Sequence, residues 1–158
     1  FCMALLDSLD FIPAEHPGYK TLVDMFAKVI ANIVKYQDES GVWYQVPDNR
    51  RSDNYKEATC SCMFAYSLNK AIKKGYIDEN TYKPYLLKAV DGIFNEFVRI
   101  DEETNSLYLT NCCAVAGLGP ENVHERDGSL DYYFSEPIIE NDNKGVGPFL
   151  LLASDYIY

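Results

Sequence analysis

The chain has 158 residues, enough for one globular domain by length. Its hydrophobic fraction of 47% and charged fraction of 24% are ordinary for a soluble protein. A net charge of −10 and the lack of a basic stripe exclude a nucleic-acid surface, and no apolar run is long enough for a membrane-spanning helix. An acidic chain can still bind one small anionic sugar, if a few Arg, Lys or His gather in a cleft.

The chain opens on Phe1-Cys2-Met3-Ala4-Leu5-Leu6, which reads as the middle of a helix with no cap before it. Leu5, Leu6, Leu9 and Ile12 keep helical spacing up to Pro13. His16-Pro17-Gly18 turns the chain into a second helix over 19–37, with Leu22, Phe26, Val29, Ile30, Ile33 and Val34 on one face. Asp38 to Gly41 stop it. Val42 to Val46 predict a short strand, and 47–54 a polar loop.

A long helix is expected from Glu57 to Lys74, closed by Gly75, with Lys70, Lys73 and Lys74 complementing its dipole. Another follows over 82–99, with Pro84 in its first turn. An acidic turn at 101–106, a short strand at Leu107–Leu109, an irregular stretch over 111–145 and a last helix over 146–156 complete the chain.

The order helix, acidic turn, short strand, polar loop, helix occurs twice. Helical-hairpin repeats of this kind need neighbours to bury their second faces. Residues 1–158 therefore read as an all-α arc of a larger helical toroid, a single domain lacking its N-terminal part. The competing reading is a five-helix bundle complete in itself.

Cys2, Cys60, Cys62, Cys112 and Cys113 lack zinc-knuckle spacing and read as small buried hydrophobes. The aromatic content, 13 Tyr, 8 Phe and 1 Trp, suits a core, an interface or a sugar site.

Three stretches carry a resemblance. Gly41-Val42-Trp43-Tyr44-Gln45-Val46 is followed by Asn54-Tyr55-Lys56-Glu57 and the Cys60 helix. Ala116-Gly117-Leu118-Gly119 is the second. The third is Arg126-Asp127-Gly128-Ser129-Leu130-Asp131-Tyr132-Tyr133-Phe134-Ser135-Glu136-Pro137, with Asn141 to Phe149. Together they resemble the unsaturated rhamnogalacturonyl hydrolases of glycoside hydrolase family 105, related to the family 88 unsaturated glucuronyl hydrolases. Asp131 stands where the family usually has Glu.

The resemblance implies the C-terminal arc of an (α/α)6 barrel whose full chain is roughly twice as long. It implies substrates with a C4=C5 double bond in a terminal uronate, as in pectin or rhamnogalacturonan fragments. There an aspartic acid protonates C4, water adds at C5, and the hemiketal collapses to release the neighbouring sugar. No metal or cofactor is implied. The acid and its partner carboxylate lie in the family's first half, so no catalytic residue is carried over to this chain. A carbohydrate-binding or scaffold protein derived from such a barrel is the rival reading.

Candidate substrate-binding residues are Trp43, Gln45, His124, Arg126, Asp127, Tyr132, Glu136 and Lys144. Trp43 can stack on a pyranose or pack between helices, and alternation puts it on one face with Gln45. Arg126 can read a carboxylate or brace its loop on Asp127 or Glu136. Glu57 can cap its helix or support the site from behind. Lys144-Gly145-Val146-Gly147 can offer helix-start N–H groups to an anion or close the fold tightly. The expected partners are an oligosaccharide with an unsaturated uronate, and a second copy or an N-terminal half that completes the ring.

Overall fold

The computed structural model describes residues 1–119 and 126–157. Six helices are assigned there: α1 (Cys2–Ser8), α2 (Tyr19–Ile33), α3 (Ala58–Lys73), α4 (Glu79–Phe97), α5 (Leu130–Ser135) and α6 (Asn143–Ile157). Four short strands accompany them: β1 (Val98–Ile100), β2 (Leu107–Leu109), β3 (Cys112–Cys113) and β4 (Ile138–Ile139). A turn of 3-10 helix at Val34–Tyr36 extends α2.

α3 is the centre of the arrangement. It packs against α1 on one side, α6 on the other and α4 behind, while α2 backs α1. Its sequence explains that position. Ala58, Ser61, Cys62, Ala65 and Ala71 are small and buried, so neighbouring backbones approach from several directions. The polar members are satisfied locally: Ser61 Oγ donates to Glu57 O at 2.7 Å and accepts from the Trp43 N–H at 3.0 Å. One continuous core runs from Leu6 and Phe26 through Trp43, Leu68 and Ile93 to Phe149 and Leu152.

The helix ends follow from capping residues. Glu57 caps α3 with its side chain. Gly75, at φ +70°, ends it: the Gly75 N–H donates to Ile72 O at 3.0 Å and the Tyr76 N–H to Ala71 O at 2.9 Å. Asp78 caps α4 through Thr81 N at 3.2 Å. That cap starts α4 earlier than expected and puts Pro84 inside the helix rather than in its first turn. The far end of α4 also differs from expectation. Val98–Ile100 leave the helix to pair antiparallel with Leu107–Leu109, because strand pairing holds this stretch extended. Arg99 lies over the Tyr108 ring at 4.3 Å and bonds Glu140 at 2.9 Å.

The expected strand at Val42–Val46 is reduced to a single bridge, Tyr44 to Lys56. The Gln45 N–H donates to Tyr55 O and the Glu57 N–H to Trp43 O, at 2.8 and 2.9 Å, and the ladder ends there. α6 begins three residues before the expected start, since Asp142 O accepts from the Gly145 and Val146 N–H groups, each at 2.9 Å.

Connections 9–18 and 74–78 lie at one end of the arc, tied by Lys70 and Lys74 to Asp10 and by the Tyr19–Tyr76 hydroxyl contact. Connection 37–57 meets segments 98–119 and 126–142 at the other end, and together they form the rim. Large apolar side chains stay exposed on the flanking elements: Phe1 and Phe11 at the α1 end, Leu150 and Leu151 on α6. A bundle complete in itself would bury such residues, so the arc reading is the one the packing favours.

Candidate functional site

The rim is built outward from Glu57, which is 2% exposed. Its Oε1 accepts from Thr59 N at 3.0 Å and from Cys113 N at 2.9 Å, and its Oε2 accepts from Cys60 N at 2.6 Å. One carboxylate thus caps α3 and pins β3 above it. The Ala58 N–H donates to Asn111 O at 2.9 Å and adds to this clamp. With both oxygens engaged by backbone donors, Glu57 is a cap and loop anchor, with no oxygen left facing a ligand.

β3 then pairs with β4, Cys112 to Ile139 and Cys113 to Ile138. The Ala114 N–H donates to Pro137 O at 2.9 Å. The third sequence block is thereby folded back over the first. Gly145 makes this possible: a Cβ there would meet Cys112 Sγ at 2.8 Å, Leu109 Cδ2 at 3.1 Å and Thr59 Oγ1 at 3.2 Å. Of the two readings of the Lys144–Gly147 stretch, tight closure is the one seen. The helix start is occupied by Asp142, whose Oδ1 accepts from Lys144 N at 2.8 Å, so it is not open to an outside anion.

The proposed sugar-contacting residues separate into groups. Trp43 is fully buried, its Nε1 donating to Ile33 O at 2.9 Å and its ring edge-on to Phe64 at 5.3 Å. This corrects the stacking expectation: an indole packed between α2 and α3 has no face for a pyranose. Gln45 stays near the surface and its Nε2 lies 3.4 Å from Cys113 Sγ, on the rim. Arg126 Nε sits 3.8 Å from Glu136 Oε1, the bracing partner weighed against substrate contact, and its side chain remains 40% exposed. Tyr132 is buried and donates to Gly117 O at 2.7 Å, which fixes the second sequence block. Burial, and after it the Glu136 carboxylate, push the Tyr132 phenol above its ordinary pKa. Asp127 Oδ1 accepts from Ser129 N at 2.8 Å ahead of α5. Lys144 Nζ bonds Ala114 O at 2.9 Å and Asp142 Oδ1 at 2.6 Å, holding α6 to the loop after β3. His124 lies outside the described residues.

Two rim features were not singled out from the sequence. Arg51 bonds Asp53 through Nε and Nη2 at 3.1 and 2.8 Å, reaches Asp131 at 2.5 Å and lies 4.9 Å from the Phe134 ring centre. It latches the 47–54 loop to α5, and the doublet Arg50-Arg51 was the signal available. The Tyr55 hydroxyl is buried beside Cys113 without a hydrogen-bond partner among the described residues, and burial above all raises its pKa. The thiols match the expected role. Burial pushes Cys60, Cys62 and Cys112 up, which keeps them protonated and unreactive, although Cys60 is only partly buried.

With this geometry in place, the sequence profile of Glycosyl Hydrolase Family 88 matches residues 1–158. The chain belongs to that family. The 24.9 kDa protein in the picA locus of Rhizobium radiobacter is 35% identical over 157 residues, which cover 97% of this chain and 66% of that protein. Among solved structures, a family 105 glycoside hydrolase of C. acetobutylicum superposes with a TM-score of 0.92 at 39% identity, covering 99% of this chain and 43% of that one. A possible family 105 member of Salmonella enterica gives 0.79 at 27% identity, covering 99% and 37%. This family 88 chain thus spans less than half of the solved relatives, as an arc of their helical barrel.

Proposed function

We propose that this family 88 chain forms the C-terminal rim of a hydrolase that hydrates the C4=C5 double bond of a terminal unsaturated uronate on pectin- or rhamnogalacturonan-type oligosaccharides. The observation that carries this reading is the folding of the Arg126–Pro137 block back onto β3 and Glu57, which brings Gln45, Arg126 and Glu136 to one rim. Arg126 is the group suited to the uronate carboxylate, because a guanidinium 3.8 Å from Glu136 can exchange a loose ion pair for a bidentate contact. Gln45 is suited to a sugar hydroxyl. The acid that protonates C4 belongs to the part of the barrel relatives that this chain does not span.

The test is titration of residues 1–158 with an unsaturated rhamnogalacturonan disaccharide, alongside a neutral disaccharide. The expected result is binding of the unsaturated sugar alone and no keto-uronate release. Arg126→Gln should weaken binding about tenfold, the scale of one charge-assisted contact. Equal affinity for the neutral sugar, or an unchanged affinity in Arg126→Gln, would overturn the reading.

A further inference from the structure

Gln45 and Arg126 stand on different stretches of the rim, 37–57 and 126–142, and these stretches are joined at two levels. The lower joint is buried: Glu57 accepts from Cys113 N at 2.9 Å, the Ala58 N–H donates to Asn111 O at 2.9 Å, and β3 pairs with β4 above them. The upper joint lies at the surface. There Arg51 Nη1 donates to Asp131 Oδ1 at 2.5 Å, and the guanidinium lies 4.9 Å from the centre of the Phe134 ring.

Arg51 comes to this joint already oriented. Its Nε and Nη2 donate to Asp53 Oδ1 and Oδ2 at 3.1 and 2.8 Å, a two-pronged contact that fixes the guanidinium plane. The Arg51 N–H donates to Asn49 Oδ1 at 2.9 Å. Asn54 Nδ2 donates to Val46 O at 2.9 Å and to Asn49 O at 3.0 Å, so the loop is closed on itself. Nη1 is the nitrogen left over, and it turns to α5.

α5 needs such an anchor. It has six residues, and a helix shorter than about 12–15 residues is marginal in water without tertiary contacts. Among the described residues its other hydrogen bonds stay within its own part of the chain. Ser129 accepts from Tyr132 N at its Oγ and from Tyr133 N at its carbonyl, both at 3.1 Å, and the Tyr132 hydroxyl donates to Gly117 O at 2.7 Å. Arg126 and Glu136 stand on the two flanks of α5, so their 3.8 Å separation depends on where this helix lies.

We propose that Arg51 is a positioning residue for the rim: by strapping α5 to the 47–54 loop it sets the place of Arg126 relative to Gln45, without touching the sugar itself. The inference rests on the reading of Arg126 as the group that binds the uronate carboxylate. Asp131 stands where the resembling family usually has Glu, and either carboxylate can accept from Arg51, whereas Asn offers it no charge.

Two readouts are taken on the same variants: amide exchange at Tyr132 and Tyr133, and affinity for the unsaturated rhamnogalacturonan disaccharide. The Arg51 and Asp131 side chains are 40% and 84% exposed, so Arg51→Gln and Asp131→Asn leave the core intact. Each should speed the exchange and weaken the affinity about two- to fivefold, the scale of one exposed ion pair. Asp131→Glu should keep both at the parent values. In an Arg126→Gln background, Asp131→Asn should still speed the exchange but cost no further affinity, because the strap acts through Arg126. Unchanged exchange in Arg51→Gln and Asp131→Asn overturns the strap. Faster exchange with unchanged affinity, or the same loss of affinity with and without Arg126, overturns the positioning role. A parent that binds no unsaturated disaccharide sinks the hydrolase reading instead, and exchange in α5 by itself then decides whether the strap stands.

Discussion

Glutamine at position 57 is the sharpest probe of the rim. The native carboxylate accepts three backbone N–H groups, two on Oε1 and one, at 2.6 Å, on Oε2. In Glu57→Gln the amide oxygen can take the Oε1 place and keep Thr59 and Cys113. The NH₂ group then faces the Cys60 N–H, donor against donor. A charge-assisted bond is worth about 1.5–3 kcal/mol and a buried orphan donor costs about 1–3. The two overlap, so about 2–3 kcal/mol of destabilisation is expected. Glu57→Ala removes the cap, about 1 kcal/mol, and orphans the Cys113 N–H as well, for a total of about 2–4 kcal/mol. With a urea slope of about 1–3 kcal/mol/M, the unfolding midpoint should fall by about 1 M or more in both variants. Amide exchange at Cys113 separates them: it accelerates in Glu57→Ala and stays slow in Glu57→Gln. A Glu57→Gln midpoint equal to the parent, with Cys113 exchange unchanged in Glu57→Ala, would refute the clamp.

Trp43 is the one tryptophan of the chain. Its fluorescence should be that of a buried indole, resist acrylamide and shift red only on unfolding; quenching in the folded protein would contradict its core position. Gly145→Ala gains up to about 1 kcal/mol of helix propensity, but crowding against Cys112 Sγ costs about 1–3. Net loss, read as a lower Tm, is expected, and a higher Tm would show that α6 can move away from β3. Hydrogen bonds from Lys70 and then Lys74 hold the Asp10 pKa below its ordinary value. A depressed acid stabilises the fold above its unfolded pKa of about 3.9 and loses that contribution as pH falls through its folded value. Stability should therefore drop as pH falls below the unfolded value of about 3.9, by under about 1 kcal/mol for this partly exposed group. Lys70→Met should flatten that drop; an identical acid profile in the variant would refute the assignment.

Much of the architecture was legible in the sequence, because helices declare themselves locally. The stripe from Leu22 to Val34 gave α2, the Gly75 stop gave the end of α3, and the exposed ends of α1 and α6 agree with the arc inferred from the hairpin repeats. The errors fell where local and distant interactions compete. Asp78 and Asp142 started helices early, past Pro84 and the glycines that suggested later starts. Val98–Ile100 left α4 for a strand partner.

For the site, the sequence alone determined which residue types stand in which order, and that order sufficed to indicate the family. It could not determine which side chains are free. Trp43 and Gln45 share an alternating face, yet only packing against Phe64 and Ile33 decided that the indole is core. Arg50 and Arg51 are adjacent and chemically identical. Asp131, eighty positions away in the chain, pairs with Arg51 through a hydrogen bond, while Arg50 has no ion pair among the described residues. Burial and pairing are properties of the whole fold, set by contacts between distant segments, so tertiary structure alone could assign them.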